Sequence, residues 1–148
     1  MSDYYIKIIP AGSDRRISPQ TADRAVKYLQ SCIIAYSVEA HIYETPAFVD
    51  CGGYLQDISC PYCGKSLFTE WWTEAMNKAY ENNFRKLDIK TPCCNKDSSL
   101  NELQYDFPCG FACAEIDIMN PREELMEECI IEVEKLMNTP VRIIYSRV

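Results

Sequence analysis

Apolar residues follow two rhythms in turn near each end of the chain, first every second residue and then every third or fourth. Residues 4–9 (Tyr-Tyr-Ile-Lys-Ile-Ile) form a β-rich run ended by Pro10-Ala11-Gly12 and predict a first strand. Ser18-Pro19 pairs a helix-capping hydroxyl with a proline suited to the first helical position. Ala22, Ala25, Val26, Leu29, Cys32 and Ile33 then recur at helical spacing, which predicts an amphipathic helix to about residue 34. Residues 38–43 alternate and predict a second strand, which Thr45-Pro46 and Gly52-Gly53 should end. Near the other end residues 111–118 alternate, with Ala112, Ala114, Ile116 and Ile118 on one face. Asn120-Pro121 should cap a helix whose stripe is Leu125, Met126, Cys129, Ile130, Val133, Leu136 and Met137. Thr139-Pro140 closes it, and residues 141–145 predict a last strand.

Strand, helix, strand, a long middle piece, then strand, helix, strand is the order of the split βαβ, ferredoxin-like fold. The expectation is one α+β domain over residues 1–148, with right-handed crossovers placing both helices on one side of an antiparallel sheet. An α+β sandwich of another topology is the alternative. Residues 51–108 are then an inserted subdomain. Its one predicted helix, about residues 69–85, gathers Trp72, Met76, Ala79, Tyr80 and Phe84 on a face that must be buried.

The chain has nine cysteines. No secretion signal is visible in its first residues, so reduced thiols, some of them holding metal, are a better reading than a disulfide scaffold. Cys60-Pro61-Tyr62-Cys63-Gly64-Lys65 has the form of a zinc knuckle: two thiolates three residues apart reach one ion, and the glycine lets backbone amides turn toward the sulfurs. Thr91-Pro92-Cys93-Cys94-Asn95-Lys96 offers a partner pair, with Asn95 able to take the left-handed conformation. Zinc on Cys60, Cys63, Cys93 and Cys94 would be a closed, structural site. Adjacent cysteines are less usual ligands than a spaced pair, so Cys51, Cys109 or His41 could replace Cys93 or Cys94. The competing chemistry is redox. Cys-Pro-Tyr-Cys is also the tetrad of a glutaredoxin-like thiol-disulfide oxidoreductase using Cys60 and Cys63. In glutaredoxins, however, the Thr-x-Pro and Gly-Gly elements follow the tetrad, and here Thr45-Pro46 and Gly52-Gly53 precede it.

Trp71-Trp72-Thr73-Glu74-Ala75-Met76, Pro92-Cys93-Cys94, the run from Ser99 to Pro108 and Gly110-Phe111-Ala112 together resemble a family of small bacterial zinc-ribbon-like proteins with no assigned activity. That family's pattern joins a Cys-Pro-x-Cys-Gly knuckle to a Pro-Cys-Cys-Gly turn and ends in a helix followed by a Thr-Pro-x-Arg-hydrophobic strand, as Thr139 to Ile144 does here. The resemblance covers roughly the latter two thirds of the chain. It implies the same four ligands and no catalytic residue. Asn95 departs from the family's glycine, and Cys109 and Cys113 stand where the pattern has no cysteine.

A formal net charge of -7 with no basic patch argues against nucleic acid and anionic membrane surfaces. No apolar run approaches the ~20 residues of a membrane helix, and the residues from Met1 to Tyr5 lack a secretion signal, which together predict a cytoplasmic protein. His41 is the only histidine and reads as a surface residue, which leaves serine- or cysteine-histidine catalysis without a base. Asp106, Glu115 and Asp117 read as solvated carboxylates rather than a catalytic pair. If Ile6, Ile8, Ala112, Ala114 and Ile116 face the helices, then Tyr5, Lys7, His41, Tyr43, Phe111 and Cys113 lie on the outer sheet face. RNA-recognition sheets use aromatics there, but Glu115 and Asp117 on the same face oppose it. The expectation is that the Trp72/Tyr80/Phe84 face of the insertion covers these aromatics. Glu123, Glu124, Glu127, Glu128, Glu132 and Glu134 make the last helix acidic. That face or the outer sheet face would suit a protein partner, a basic one on the helix. The reading is therefore a non-enzymatic binding or regulatory module with a structural zinc site. Thiol-disulfide oxidoreductase is the alternative, and nucleic-acid binder ranks third. Oligomeric state is not fixed by the sequence.

Overall fold

The structure, a computed structural model, describes residues 2–148; Met1, which the reading of the N-terminus takes in, lies outside them. In chain order the elements are β1 (Tyr4–Pro10), α1 (Pro19–Cys32), β2 (Ser37–Val49), β3 (Ile58–Ser59), α2 (Thr69–Glu81), β4 (Asp88–Lys90), β5 (Asp97–Ser99), β6 (Gln104–Tyr105), β7 (Gly110–Met119), α3 (Glu127–Met137) and β8 (Val141–Arg147). A 3₁₀ turn, Leu100–Glu102, links β5 to β6. The fold is mixed α+β with antiparallel sheets. Four strands form the main sheet in the order β2-β7-β1-β8, and two-stranded sheets pair β3 with β6 and β4 with β5.

Each half of the main sheet follows from its sequence. Ser18 caps α1, its Oγ accepting from Thr21 N at 3.1 Å, with Pro19 in the first turn. The crossover β1-α1-β2 leaves a gap that β7 fills, and β7-α3-β8 leaves one that β1 fills. Ile6, Ile8, Ile116, Ile118 and Val38 pack on Ala25, Leu29 and Ile33 of the α1 segment and on Val133 and Met137 of α3. Both helices therefore cover one face.

Three expectations need correction. Thr45-Pro46 does not end β2, which runs on to Val49. β2 is an edge strand, so the N–H that Pro46 lacks is not missed by any neighbour. The chain absorbs the proline in a bulge: Tyr43, Glu44, Thr45 and Pro46 stand opposite Cys113 alone, between the pairs Ile42↔Ala114 and Ala47↔Ala112. Beside the bulge the facing of β7 also differs from the expected one. Ala112 packs with Ile9, Val49, Cys51, Cys109 and Ile144, away from the helices. Finally, α3 begins at Glu127, not behind Asn120-Pro121. Asn120 takes a φ of 48° and serves β1, its Oδ1 accepting from Tyr4 N at 2.9 Å. Met126 is accordingly left exposed.

The insertion has its own core, Ile58, Cys60, Leu67, Ala79, Leu87, Leu100 and Leu103, closed on the sheet by Phe48 and Phe111. α2 stops at Glu81, and Asn83 and Phe84 turn the chain at φ 59° and 57°. That swings the Phe84 ring to 5.3 Å from Phe111. Trp71, Trp72, Ala75 and Met76 pack inward, whereas Tyr80, expected on that face, is 70% exposed. Of the outer-face aromatics this core takes in Phe111, and neither Tyr5 nor Tyr43.

Candidate metal centre

The metal-ligand candidates sit on two hairpin turns of the same design, 31 positions apart. In the first, Ser59 bridges Ser66, Cys60 N donates to Lys65 O at 2.9 Å, and Gly64 N donates to Cys60 O at 2.9 Å. In the second, Lys90 pairs with Asp97, Thr91 N donates to Lys96 O at 2.9 Å, and Asn95 N donates to Thr91 O at 2.7 Å. Gly64 and Asn95 occupy equivalent places, with φ of 76° and 54°; asparagine tolerates this left-handed region better than most side chains. Thr91 therefore stands where Cys60 stands, Cys94 where Cys63 stands, and Cys93 where Tyr62 stands. Buried Thr91 spends its hydroxyl on Lys96 N at 3.2 Å. The adjacent cysteines are thus a knuckle whose first thiol has moved two residues along the turn.

The two turns face each other. One ligand atom from each of Cys60, Cys63, Cys93 and Cys94 lies within 4.8 Å of all the others, and the Cys63 and Cys93 sulfurs are 3.4 Å apart. Four thiolates around one ion at a metal–sulfur distance of about 2.3 Å would be about 3.8 Å apart. The donors therefore fit a metal ion with small side-chain adjustments and would occupy all four positions of a tetrahedral site. Tyr62 ties the hairpins together, its hydroxyl donating to Asp97 O at 2.7 Å while Lys96 Nζ lies 5.0 Å from its ring centre.

Cys60, Cys93 and Cys94 are not equivalent. Burial opposes ionisation of Cys60, but the N–H groups of Cys63 and Tyr62 and the thiols of Cys93 and Cys63 outweigh it and bring Cys60 down to about 6. Hydrogen bonding to Cys63 and burial push Cys94 up to about 12, and burial raises Cys93. A cation that supplies compensating charge favours the thiolate form of all its ligands. Cys51 and Cys109 lie elsewhere, against each other, and His41 stands 3.4 Å from Asp117, so none of the three alternative ligands joins the four.

Two arrangements escaped the sequence. Arg142 Nη1 donates to Cys109 O at 2.8 Å, Asn101 O at 3.1 Å and Asn101 Oδ1 at 3.2 Å, and that Oδ1 also accepts from Phe111 N at 2.9 Å. A Cβ on Gly110 would stand 2.8 Å from both Arg142 Nη1 and Ile9 Cδ1. Asn101, Gly110 and Arg142 thus form the joint between insertion and sheet.

The second is on the outer sheet face. Glu115 is only 7% exposed and accepts from the Tyr43 hydroxyl, so it is not solvated as expected. Asp117 Oδ2 lies 3.4 Å from His41 Nε2, while its buried Oδ1 has no partner among the described residues. Burial, then hydrogen bonding and repulsion from Glu115, raise Asp117 to about 8. Asp106 is a turn residue. The N–H groups of Gln56, Asp57 and Phe107 outweigh burial and hold its carboxyl below the usual range.

Comparison with protein-family models, with curated proteins and with solved structures finds no match in any of the three. No helix among the described residues is long and apolar enough to cross a membrane.

Proposed function

We propose that the chain is a non-enzymatic binding or regulatory module whose insertion is shaped by one structural zinc ion on Cys60, Cys63, Cys93 and Cys94. The observation that carries this reading is the convergence of the four sulfurs within 4.8 Å from two equivalent turns. Four soft thiolates in a tetrahedral set suit zinc, and a set with no open position supports a structural role. The joined knuckles are zinc-ribbon-like, and the strand order β2-β7-β1-β8 supports a ferredoxin-like scaffold. The acidic face of α3, with Glu127, Glu128 and Glu132, suits a basic protein surface as partner, and a cytoplasmic location suits nine free thiols.

A second reading, thiol-disulfide exchange at Cys60, draws on its lowered thiol. Against it, Cys60 is fully buried, and α2 begins only at Thr69, so the tetrad does not lie in that helix's first turn. Elemental analysis of purified protein, with thiol counts before and after chelation, separates the two. One zinc per chain with four thiols reactive only after chelation is expected. No metal and a Cys60 that alkylates rapidly near neutral pH would instead support the oxidoreductase.

A further inference from the structure

Two cysteines outside the metal centre mark the two ends of the insertion. Cys51 follows β2 by two residues and Cys109 immediately precedes β7, and their sulfurs are 3.4 Å apart. Both are essentially inaccessible, packed with Ile9, Val49, Ala112 and Ile144. β8 fixes both backbones: Arg147 N donates to Cys51 O at 3.3 Å, and Arg142 Nη1 donates to Cys109 O at 2.8 Å. The thiols are thus held in register by groups that do not depend on the metal.

We propose that Cys51 and Cys109 are a thiol modification site at which a water-sized peroxide forms a disulfide across the base of the insertion. Cys109 donates its S–H to the Cys51 sulfur, so negative charge is better stabilised on Cys51, which is the attacking group. The Cys51 thiolate displaces one peroxide oxygen. The O–O bond breaks, one water leaves after taking up a proton, and Cys51 carries a sulfenic acid. The Cys109 sulfur then displaces that hydroxyl, and its own proton completes the second water. Two thiols and one hydrogen peroxide give one disulfide and two waters. The pair must close from 3.4 Å to about 2.0 Å, within reach of side-chain rotation.

Burial sets the character of the site. Larger oxidants cannot reach the pair and neither thiol is a ready nucleophile, so the first step is slow. The second is fast because its partner is already in place. The product closes a loop spanning 58 positions, and closure of so long a loop restricts the unfolded chain strongly.

The test uses the full-length, zinc-loaded protein and a small molar excess of hydrogen peroxide. Free thiols are then alkylated and the protein is digested without reductant for mass mapping. The expected result is a loss of 2 Da, one linked peptide pair containing Cys51 and Cys109, and a melting midpoint raised on the order of 10 °C, with dithiothreitol restoring the mass once the protein is unfolded. Cys51→Ser should abolish the mass loss. The proposal is overturned if Cys51 and Cys109 are both recovered alkylated, whether other cysteines link or none do. Because the wild-type map decides alone, a variant that folds poorly does not blunt the test.

Discussion

The main sheet and the insertion solve one problem, holding a chain in register, by different means. In the sheet, β1 pairs with β8 over seven residues, and isoleucines of β1 and β7 meet two helices across a continuous apolar layer. In the insertion, β3 and β6 are two residues long and β4 and β5 three. Strands so short bury too little to hold their own register. The turns do the holding, and they converge on four sulfurs. Side-chain burial spread over long strands is enough for one region, whereas the other adds to a smaller core of its own one point where four sulfurs meet. The first should therefore fail gradually under substitution and the second all at once.

The largest effect follows from that contrast. Cys60→Ser should weaken metal binding by more than about a hundredfold, exceeding what loss of a mere supporting group does to a metal site. Both tryptophans, Trp71 and Trp72, lie on α2, so their fluorescence reports the insertion together with its contact on Phe48 of β2. It should show a disordered insertion while far-ultraviolet dichroism retains the sheet and outer helices. Loss of both signals together would mean that the regions are not separable. Ile116→Ala cuts the other way. At a fully buried position it should cost about 2–5 kcal/mol in denaturant titration and leave metal affinity unchanged. Gly110→Ala strikes the joint, where the new methyl would crowd Arg142 and Ile9. A loss of about 1–3 kcal/mol, with both reporters shifting together, is expected.

Next comes the outer face. Asp117 keeps its proton to about 8 when folded, against 3.8 as its ordinary value. Between those values the unfolded chain has released a proton that the folded chain retains. The stability this group contributes is therefore complete below pH ~4 and declines as pH rises toward 8. Asp117→Asn should flatten that decline and stabilise the protein by on the order of 1 kcal/mol at pH 8; unchanged pH dependence in chemical denaturation would reject the assignment. The smallest effect belongs to the pair Thr91→Cys with Cys93→Tyr. It returns the second turn to the layout of the first and should keep metal affinity within about tenfold, measured against a competing chelator.

What the sequence revealed tracks how local each cause is. Ser18-Pro19 and the 3.6-residue stripe of α1 act within a few residues and were legible, as were the two cysteine turns. The passage of β2 through Pro46 was not, because a proline is tolerated only if the strand lies at an edge, and strand order is a property of the whole sheet. Ala112, beside the same bulge, packs away from the helices, which its alternation with Ala114 and Ile116 did not reveal. Glu115 and Asp117 looked solvated because nothing nearby in sequence shows that Tyr43 and His41 close over them. The shift of one thiol from position 91 to 93 was visible as an oddity, adjacent cysteines, but its reason needed the two turns side by side.

β2 and β7 are antiparallel neighbours, and Val49 faces Gly110 across the ladder at the point where the chain departs and returns. By connectivity, everything from Asp50 to Cys109 is the tip of one overgrown hairpin. A hairpin tip is where a fold accepts or sheds sequence at least expense to its frame, since the strands already meet without it. The segment that carries the four cysteines is therefore exchangeable in principle for a short turn. Arg142 is then the fitting that such an exchange would leave without its Asn101 partner.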